Sequence, residues 1–273
     1  MLRKINIEYH VTDKCNLNCK SCSHFSNLVD KEIPKSLDKI KSDFKRIWEL
    51  TDQGSAECVN KVLILGGEPL IYPHLIEAID YIKSLFPHVY DHGPLELITN
   101  GLLLPKMGPE FFECLRHNGV RVCVSIYDLK ESFYQGVFDL LNREGISWYW
   151  FSAYTPEEKL FSTKWLHNHF NENYREYATD CRWRLSCTQL VDNKIYLCAL
   201  IAYFKHFDAK FPGQHQITVT EEDYIDLDKI NSFEELVEAR KMVPRFCGHC
   251  RGSHAISEPW GISRKTIDEY LQD

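Results

Sequence analysis

Three cysteines offer the first chemistry in this chain: Cys15, Cys19 and Cys22, spaced C-x3-C-x2-C in the run CNLNCKSC. The thiolate is the metal-binding form of cysteine. Three thiolates on one short loop can hold three irons of a [4Fe–4S] cube and leave the fourth iron without a protein ligand. An open position on a metal is where a substrate or cofactor is activated. Zinc is the alternative, although it usually takes four protein ligands at CxxC-type spacing. A second set of thiols follows. Cys187 and Cys198 bracket the run TQLVDNKIYL, and Cys247 and Cys250 form FCGHC. Cys181 is an alternative to Cys187. Four thiols suit an iron–sulfur cluster or a structural zinc ion. Cys58, Cys114 and Cys123 stand alone and read as small buried apolar residues.

The rest of the composition narrows the classes. The chain has 273 residues, 11 cysteines and a formal net charge of −7. That balance argues against a duplex nucleic-acid binder, and no lysine or arginine run marks an anionic membrane partner. No apolar run approaches the ~18 residues of a membrane span, and the first residues lack the apolar core of an export signal. Clustered cysteines in odd number, without an export signal, read as metal ligands in a reducing compartment. A soluble cytoplasmic protein is expected.

The elements that must position these residues alternate. Strands are expected at Ile5–Tyr9, Lys61–Leu65, Leu95–Thr99, Val120–Ile126 and Ile146–Phe151. Helices are expected at Ser36–Leu50, Pro73–Phe86, Pro109–His117, Glu131–Arg143 and Thr155–Phe170. Serial βα units imply a parallel sheet with right-handed crossovers. About five to six of them suit an α/β partial barrel better than a closed eight-unit one. Beyond about residue 174 the alternation stops. Thr188–Cys198 reads as a hairpin turning at Asp192-Asn193, Ser232–Met242 as a capped helix, and a short helix is expected from Ser263. The division is residues 1–174 for the partial barrel and 175–273 for a small hairpin-and-helix auxiliary domain. The motifs fall on the loops after the first four strands, the edge where parallel α/β folds place ligands.

C-x3-C-x2-C after the first strand, followed by Gly66-Gly67-Glu68-Pro69 after the second, resembles the radical S-adenosylmethionine superfamily. The resemblance covers residues 1 to about 155. It implies a [4Fe–4S] cluster on Cys15, Cys19 and Cys22 whose open iron chelates S-adenosyl-L-methionine. Reductive cleavage would then give a 5′-deoxyadenosyl radical that takes a substrate hydrogen atom. Gly66, Gly67 and Glu68 would form the methionine-binding turn, with Ser125 and Asn100 as further cofactor contacts. The family's aromatic residue before the third cysteine is replaced here by Ser21, and Phe25 is the candidate to supply an apolar face for adenine.

The later cysteines resemble the twitch domain, the short form of the SPASM appendage. That implies a second, auxiliary [4Fe–4S] cluster on Cys187, Cys198, Cys247 and Cys250. With no cysteine after Cys250, one auxiliary cluster is the ceiling. An electron acceptor near the substrate favours oxidoreductase chemistry, the dehydrogenation of a small polar, sugar-like molecule. That step needs a general base. The candidates are Tyr127 and Asp128 at the end of the fourth strand, Tyr9 and His10 beside the first loop, and Arg182 between the domains. The alternative is a peptide-modifying enzyme, in which Cys181 could donate a hydrogen atom. A zinc-stabilised binding module is the non-enzymatic alternative. The resemblance also implies a flavodoxin- or ferredoxin-type electron donor.

Overall fold

A computed structural model describes residues 4–31, 34–88, 95–128, 130–152, 154–155, 160–163, 165–250 and 256–272. Its first half is the expected alternation: β1 (Ile5–Thr12), α1 (Leu37–Leu50), β2 (Val59–Gly66), α2 (Leu75–Leu85), β3 (Leu95–Thr99), α3 (Pro109–His117), β4 (Val120–Ile126), α4 (Glu131–Arg143) and β5 (Trp148–Ser152). Local chemistry sets the boundaries. Ser36 caps α1 by accepting from the Lys39 amide at 3.1 Å, satisfying one of the orphan donors of the first turn. Pro109 begins α3, where a missing amide hydrogen costs nothing. Gly119 and Gly145 follow α3 and α4 with positive φ, as a helix stop requires.

Strands β1 to β5 are parallel neighbours in sequence order. Side chains alternate across a strand, so each strand has two faces. One face carries Ile5, Ile7, Tyr9 and Val11, Val62 and Ile64, Leu95 and Leu97, and Val122 and Val124. All are buried. The amphipathic helices pack there; α1 contributes Ile40, Phe44 and Ile47, each fully buried. Each such side chain stabilises the fold by roughly 1.5–3 kcal/mol. The other face is mixed and lies in register: Glu8 beside Leu63, Glu96 beside Arg121, Cys123 beside Tyr149, and Ser125 beside Phe151. Tyr149 donates to Glu96 at 2.9 Å, so part of this polar layer is paired internally.

The chain then adds β6 (Tyr154–Thr155), β7 (Leu160–Thr163), β8 (Leu166–His167), α5 (Tyr174–Ala178), α6 (Arg182–Ser186), β9 (Gln189–Val191), β10 (Lys194–Tyr196), α7 (Ala199–Ala202), α8 (Phe204–Lys210), β11 (Ile225–Asp226), α9 (Phe233–Ala239), β12 (Ile256–Pro259) and β13 (Leu271–Gln272). The expected hairpin is β9–β10. Its turn residues Asp192 and Asn193 both have positive φ, the geometry whose twist matches the flanking strands. The hairpin joins β1, with β9 parallel to it. One open eight-stranded sheet therefore runs β11-β10-β9-β1-β2-β3-β4-β5, and the two expected units share it. A second core, around Phe204, Phe207, Phe246 and Tyr270, joins the later half to Phe25 and Leu28 just after the first cysteines.

Two expectations fail here. Thr155–Phe170 is not one helix: β7 pairs with β12 and β6, and β8 with β13. Pairing with segments about a hundred residues away outweighs a weak local helical pattern. From Ser263 there is no α-helix either, but a single 3-10 turn at Ile267–Glu269 and then β13. No helix among the described residues is long and apolar enough to cross a membrane.

Candidate active site

The first cysteine loop leaves β1 at Thr12 and is pinned at once to the turn after β2. The Gly67 amide donates to the Thr12 carbonyl and the Glu68 amide to the Lys14 carbonyl, both at 2.9 Å. A Cβ on Gly66 would lie 2.3 Å from the Thr12 oxygen, and one on Gly67 would lie 2.2 Å from the Lys14 oxygen. These glycines thus allow two backbones to touch. Their absent side chains make room for the cysteine loop itself.

Glu68 is fully buried. Its Oε1 accepts from Thr99 Oγ1 at 2.7 Å and the Leu70 amide at 3.1 Å, and its Oε2 accepts from the Asn100 amide at 2.9 Å. Burial pushes the carboxyl up to about 7 in spite of those three donors. The carboxylate thereby ties the ends of β2 and β3 together. Asn100 extends the tie: its side-chain nitrogen donates to Asn16 at 2.7 Å and lies 3.9 Å from the Cys15 sulfur. Three strand ends are in this way fixed around one loop.

Burial pushes the Cys15 and Cys19 thiols up to about 12, and Cys22 upward too. The Cys15 thiol also feels the charges of Cys22 and Cys19. Backbone amides of residues 24 to 27 turn toward the Cys22 sulfur and oppose its upward shift. Loading metal on such thiols must expel their protons. Among the described residues, no three His, Cys, Asp or Glu groups converge tightly enough to hold a single metal ion. Buried polar atoms without partners surround the loop: Asn18 Oδ1, Ser26 Oγ and Trp260 Nε1. Such orphans are rare in a folded protein and fit a polar group bound at this place.

The other expected residues fall on both sides of the site. Tyr127, after β4, faces the loop: burial raises its hydroxyl far above the usual range, and the charges of Cys19, Cys22 and Cys15 add to this. Ser125 is half-buried at the end of β4. Asp128 is exposed, and α4 begins after Lys130 without a side-chain cap. Tyr9 points the other way. It shares the parity of Ile5, Ile7 and Val11, donates to Asp43 at 2.9 Å and is fully buried among the helices, so it is a packing residue. Phe25 is also corrected. Its ring is fully buried, 5.5 Å from Phe207 and 5.4 Å from Tyr270, and offers no face to adenine. The Arg182 side chain lies outside the described residues.

His10, one residue beyond Tyr9 and of opposite parity, begins a network that sequence spacing did not reveal. His10 Nδ1 lies 3.0 Å from Asp13 Oδ1, and its Nε2 lies 2.8 Å from His24 Nδ1. The other Asp13 oxygen lies 2.8 Å from His206 Nε2 on α8. Burial lowers His10 to about 4. A neutral His10 that donates to Asp13 must accept from His24, which fixes its tautomer. Burial pushes the Asp13 carboxyl up, and hydrogen bonds from His10 and His206 more than reverse that. The network bonds the cysteine loop to the later half of the chain.

The second thiol set surrounds one cavity. Its walls include Cys181, Cys198, Cys247 and Cys250, with Leu200 and Phe246. Burial pushes the Cys247 thiol up, and the charges of Cys198, Cys250 and Cys181 push it further. Cys187 does not line this cavity; it lies at the far end of α6 from Cys181. Tyr177 donates to the Cys247 and Cys250 carbonyls at 2.9 and 3.2 Å, holding the CxxC turn to α5.

Residues 9–153, from the second half of β1 to just past β5, match the radical SAM superfamily. The chain belongs to the radical SAM superfamily. It is therefore an enzyme of a family that works with a [4Fe–4S] cluster and S-adenosylmethionine. Similar curated proteins include the GTP 3′,8-cyclase of Alkaliphilus metalliredigens (strain QYMF), 33% identical over 50% of this chain and 39% of that protein. The GTP 3′,8-cyclase of Clostridium botulinum (strain Okra / Type B1) is 34% identical over the same shares. The match thus spans well under half the length of those relatives. Among solved structures, BtrN in complex with AdoMet and 2-DOIA superposes on 98% of this chain and 97% of its own, with a TM-score of 0.55 and 14% identity. Native anSMEcpe with bound AdoMet covers 88% of this chain and 82% of its own, with a TM-score of 0.52 and 14% identity. At such identities the likeness is one of fold. It agrees with the open, partly parallel α/β sheet of a partial barrel.

Proposed function

We propose that Cys15, Cys19 and Cys22 hold the family's [4Fe–4S] cluster and that the enzyme dehydrogenates a small polar, sugar-like molecule with help from a second cluster on Cys181, Cys198, Cys247 and Cys250. The observation that carries the second part is the single cavity those last four thiols line. The groups, when bound, supply reductive cleavage of S-adenosylmethionine to a hydrogen-abstracting radical and an acceptor for the substrate's second electron. The chain's own residues position and exclude. The turn at Gly66–Glu68 and Asn100 fix the cysteine loop at the mouth of the sheet. The half-buried Ser125 sits on the sheet face turned toward that mouth. Tyr127, facing the same loop, would hold its proton throughout, so it suits orienting substrate rather than accepting a proton. Residues 1–174 would thus carry radical generation and 175–273 the auxiliary centre, on a shared sheet. A flavodoxin- or ferredoxin-type protein would supply the first electron. The likeness in fold and length to a chain solved with AdoMet and 2-DOIA supports a small-molecule substrate.

A second reading has its own observation. Trp150 and Phe151 are 52% and 51% exposed on β5, the edge of the sheet, and an extended peptide adds to such an edge. Anaerobic reconstitution separates these ideas. Wild type should hold about eight irons, and the Cys15/Cys19/Cys22 triple alanine variant and Cys181→Ala about four each, with Cys187→Ala unchanged. Release of 5′-deoxyadenosine should be lost in the triple variant. Full iron in Cys181→Ala would remove Cys181 from the ligand set, and about four irons in wild type would remove the second cluster from the reading. Turnover of peptides but not of polyols would favour the edge-strand reading.

A further inference from the structure

The segment from Glu258, near the end of β12, to Ser263 lies along the first cysteine loop as a strap. Cys19 and Ile262 form an antiparallel bridge. The Lys20 amide donates to the Gly261 carbonyl at 2.9 Å, and the Ser263 amide donates to the Asn18 carbonyl at 2.8 Å. Asn18 Nδ2 returns to the Ser263 carbonyl at 2.9 Å. Side chains close the ends: Lys20 pairs with Glu258 at 2.5 Å, and Ser21 Oγ donates to the Glu269 carbonyl at 2.7 Å. Ser21 is buried with φ of 55°. The place where a larger side chain would stand is therefore occupied by this strap.

Trp260 is the strap's inward residue. Its ring lies 6.1 Å from that of Tyr127, which itself faces the thiols. Its indole N–H is buried with no hydrogen-bond partner, although an indole has a donor and nothing else to offer. The Cys19 sulfur lies within its reach, although not in the geometry of a full hydrogen bond. A thiol is a weak acceptor, whereas a thiolate is a strong one.

We propose that Trp260 is a positioning residue of the first cluster site, directing its indole N–H at the Cys19 sulfur once that sulfur is a metal-bound thiolate. The inference rests on the reading of Cys15, Cys19 and Cys22 as cluster ligands. Hydrogen bonds to ligand sulfurs raise a cluster's reduction potential, because they stabilise the extra negative charge of the reduced state. The strap then does two things: it excludes water from the loop and supplies one directed donor.

The test uses the full chain, reconstituted without oxygen and labelled with 15N in the tryptophan indole. Pulsed electron paramagnetic resonance of the reduced protein should show a 15N coupling that disappears in Trp260→Phe. The midpoint potential of Trp260→Phe should move to more negative values, and that of the strap control Ile262→Ser should stay at wild type. Loosening the strap alone would act in the opposite direction, since water entering the site also stabilises the reduced state. A cluster present at about four irons per site with no 15N coupling, or with a potential that Trp260→Phe leaves unchanged or raises, overturns the inference and leaves the cysteine reading intact. Failure of wild type to assemble a cluster on the first loop would overturn that reading and the inference with it. Should Trp260→Phe not fold, the coupling in labelled wild type decides.

Discussion

Gly67→Ala probes the junction on which the site depends. The new Cβ would lie 2.2 Å from the Lys14 oxygen, 2.3 Å from the Lys14 carbonyl carbon and 2.7 Å from the Asp13 oxygen. All three are backbone atoms, so no rotamer change relieves the clash. Overpacking of this kind costs about 1–3 kcal/mol. If the loop moves away instead, the amide bonds from Gly67 to Thr12 and from Glu68 to Lys14 are lost at about 1 kcal/mol each. By either route the expected destabilisation is about 2–3 kcal/mol, a sizeable part of the ~5–15 kcal/mol of a typical domain. Anaerobic urea unfolding, followed by circular dichroism, measures it. Iron per chain after reconstitution should fall in parallel, because the loop that moves carries Cys15. Gly136→Ala is the comparison. Gly136 is exposed in the middle of α4 with nothing within 4 Å of an added Cβ, and the change should stabilise by about 0.5–1 kcal/mol. A Gly67→Ala protein within about 1 kcal/mol of wild type, with full iron, would refute the account of this junction.

Three further expectations use other parts of the site. Glu68 is raised from its ordinary 4.5 to about 7 by burial. The folded state therefore keeps a proton that the unfolded state releases, and stability should fall by up to about 3 kcal/mol as pH rises through that window. Glu68→Gln should flatten the fall, and parallel stability–pH curves for the two proteins would contradict this. Phe25→Ala should cost about 3–5 kcal/mol by leaving a cavity in the second core. It should leave S-adenosylmethionine affinity close to wild type in calorimetry of reconstituted protein, and a selective loss of affinity would return Phe25 to the cofactor. Because Cys15 and Cys19 are raised to about 12, iron uptake at limiting iron should improve between about pH 7 and about pH 9; uptake independent of pH would mean the thiols ionise more easily than their burial implies.

The parallel half of the fold was legible because its signals are local. Each strand is a short apolar run, each helix has its periodic face, and the glycines fall at the turns. The same period would have settled Tyr9, whose parity with Ile5, Ile7 and Val11 marks the helix-packed face; proximity to the cysteine loop in sequence was the weaker guide. The later half was misread where pairing is remote. Leu160–Thr163 finds Ile256–Pro259, and no window of local sequence contains both. The choice between Cys181 and Cys187 turns on α6, a helix of only five residues that carries the two cysteines to different places. Phe25 looked available because it follows the third cysteine, yet its φ of 53° turns it into the second core. Trp260 gave no signal, since nothing in its neighbourhood announces a segment that lies on residues 18–20.

The placement of β1 at the centre of the sheet has a consequence for how the molecule is made. Its residues leave the ribosome before those of every other strand in the sheet, but β9 reaches it only after about 180 more residues, and the strap over Cys19 comes later still. Synthesis at about 5–20 residues per second leaves the first three thiols unenclosed for many seconds, while most of the parallel strands beside them can already pair. Closure then waits on contacts of long sequence separation, which are slow to form. The cell thus has an interval in which the loop is shaped by β2 and β3 and still open, and metal delivered within it would meet no strap.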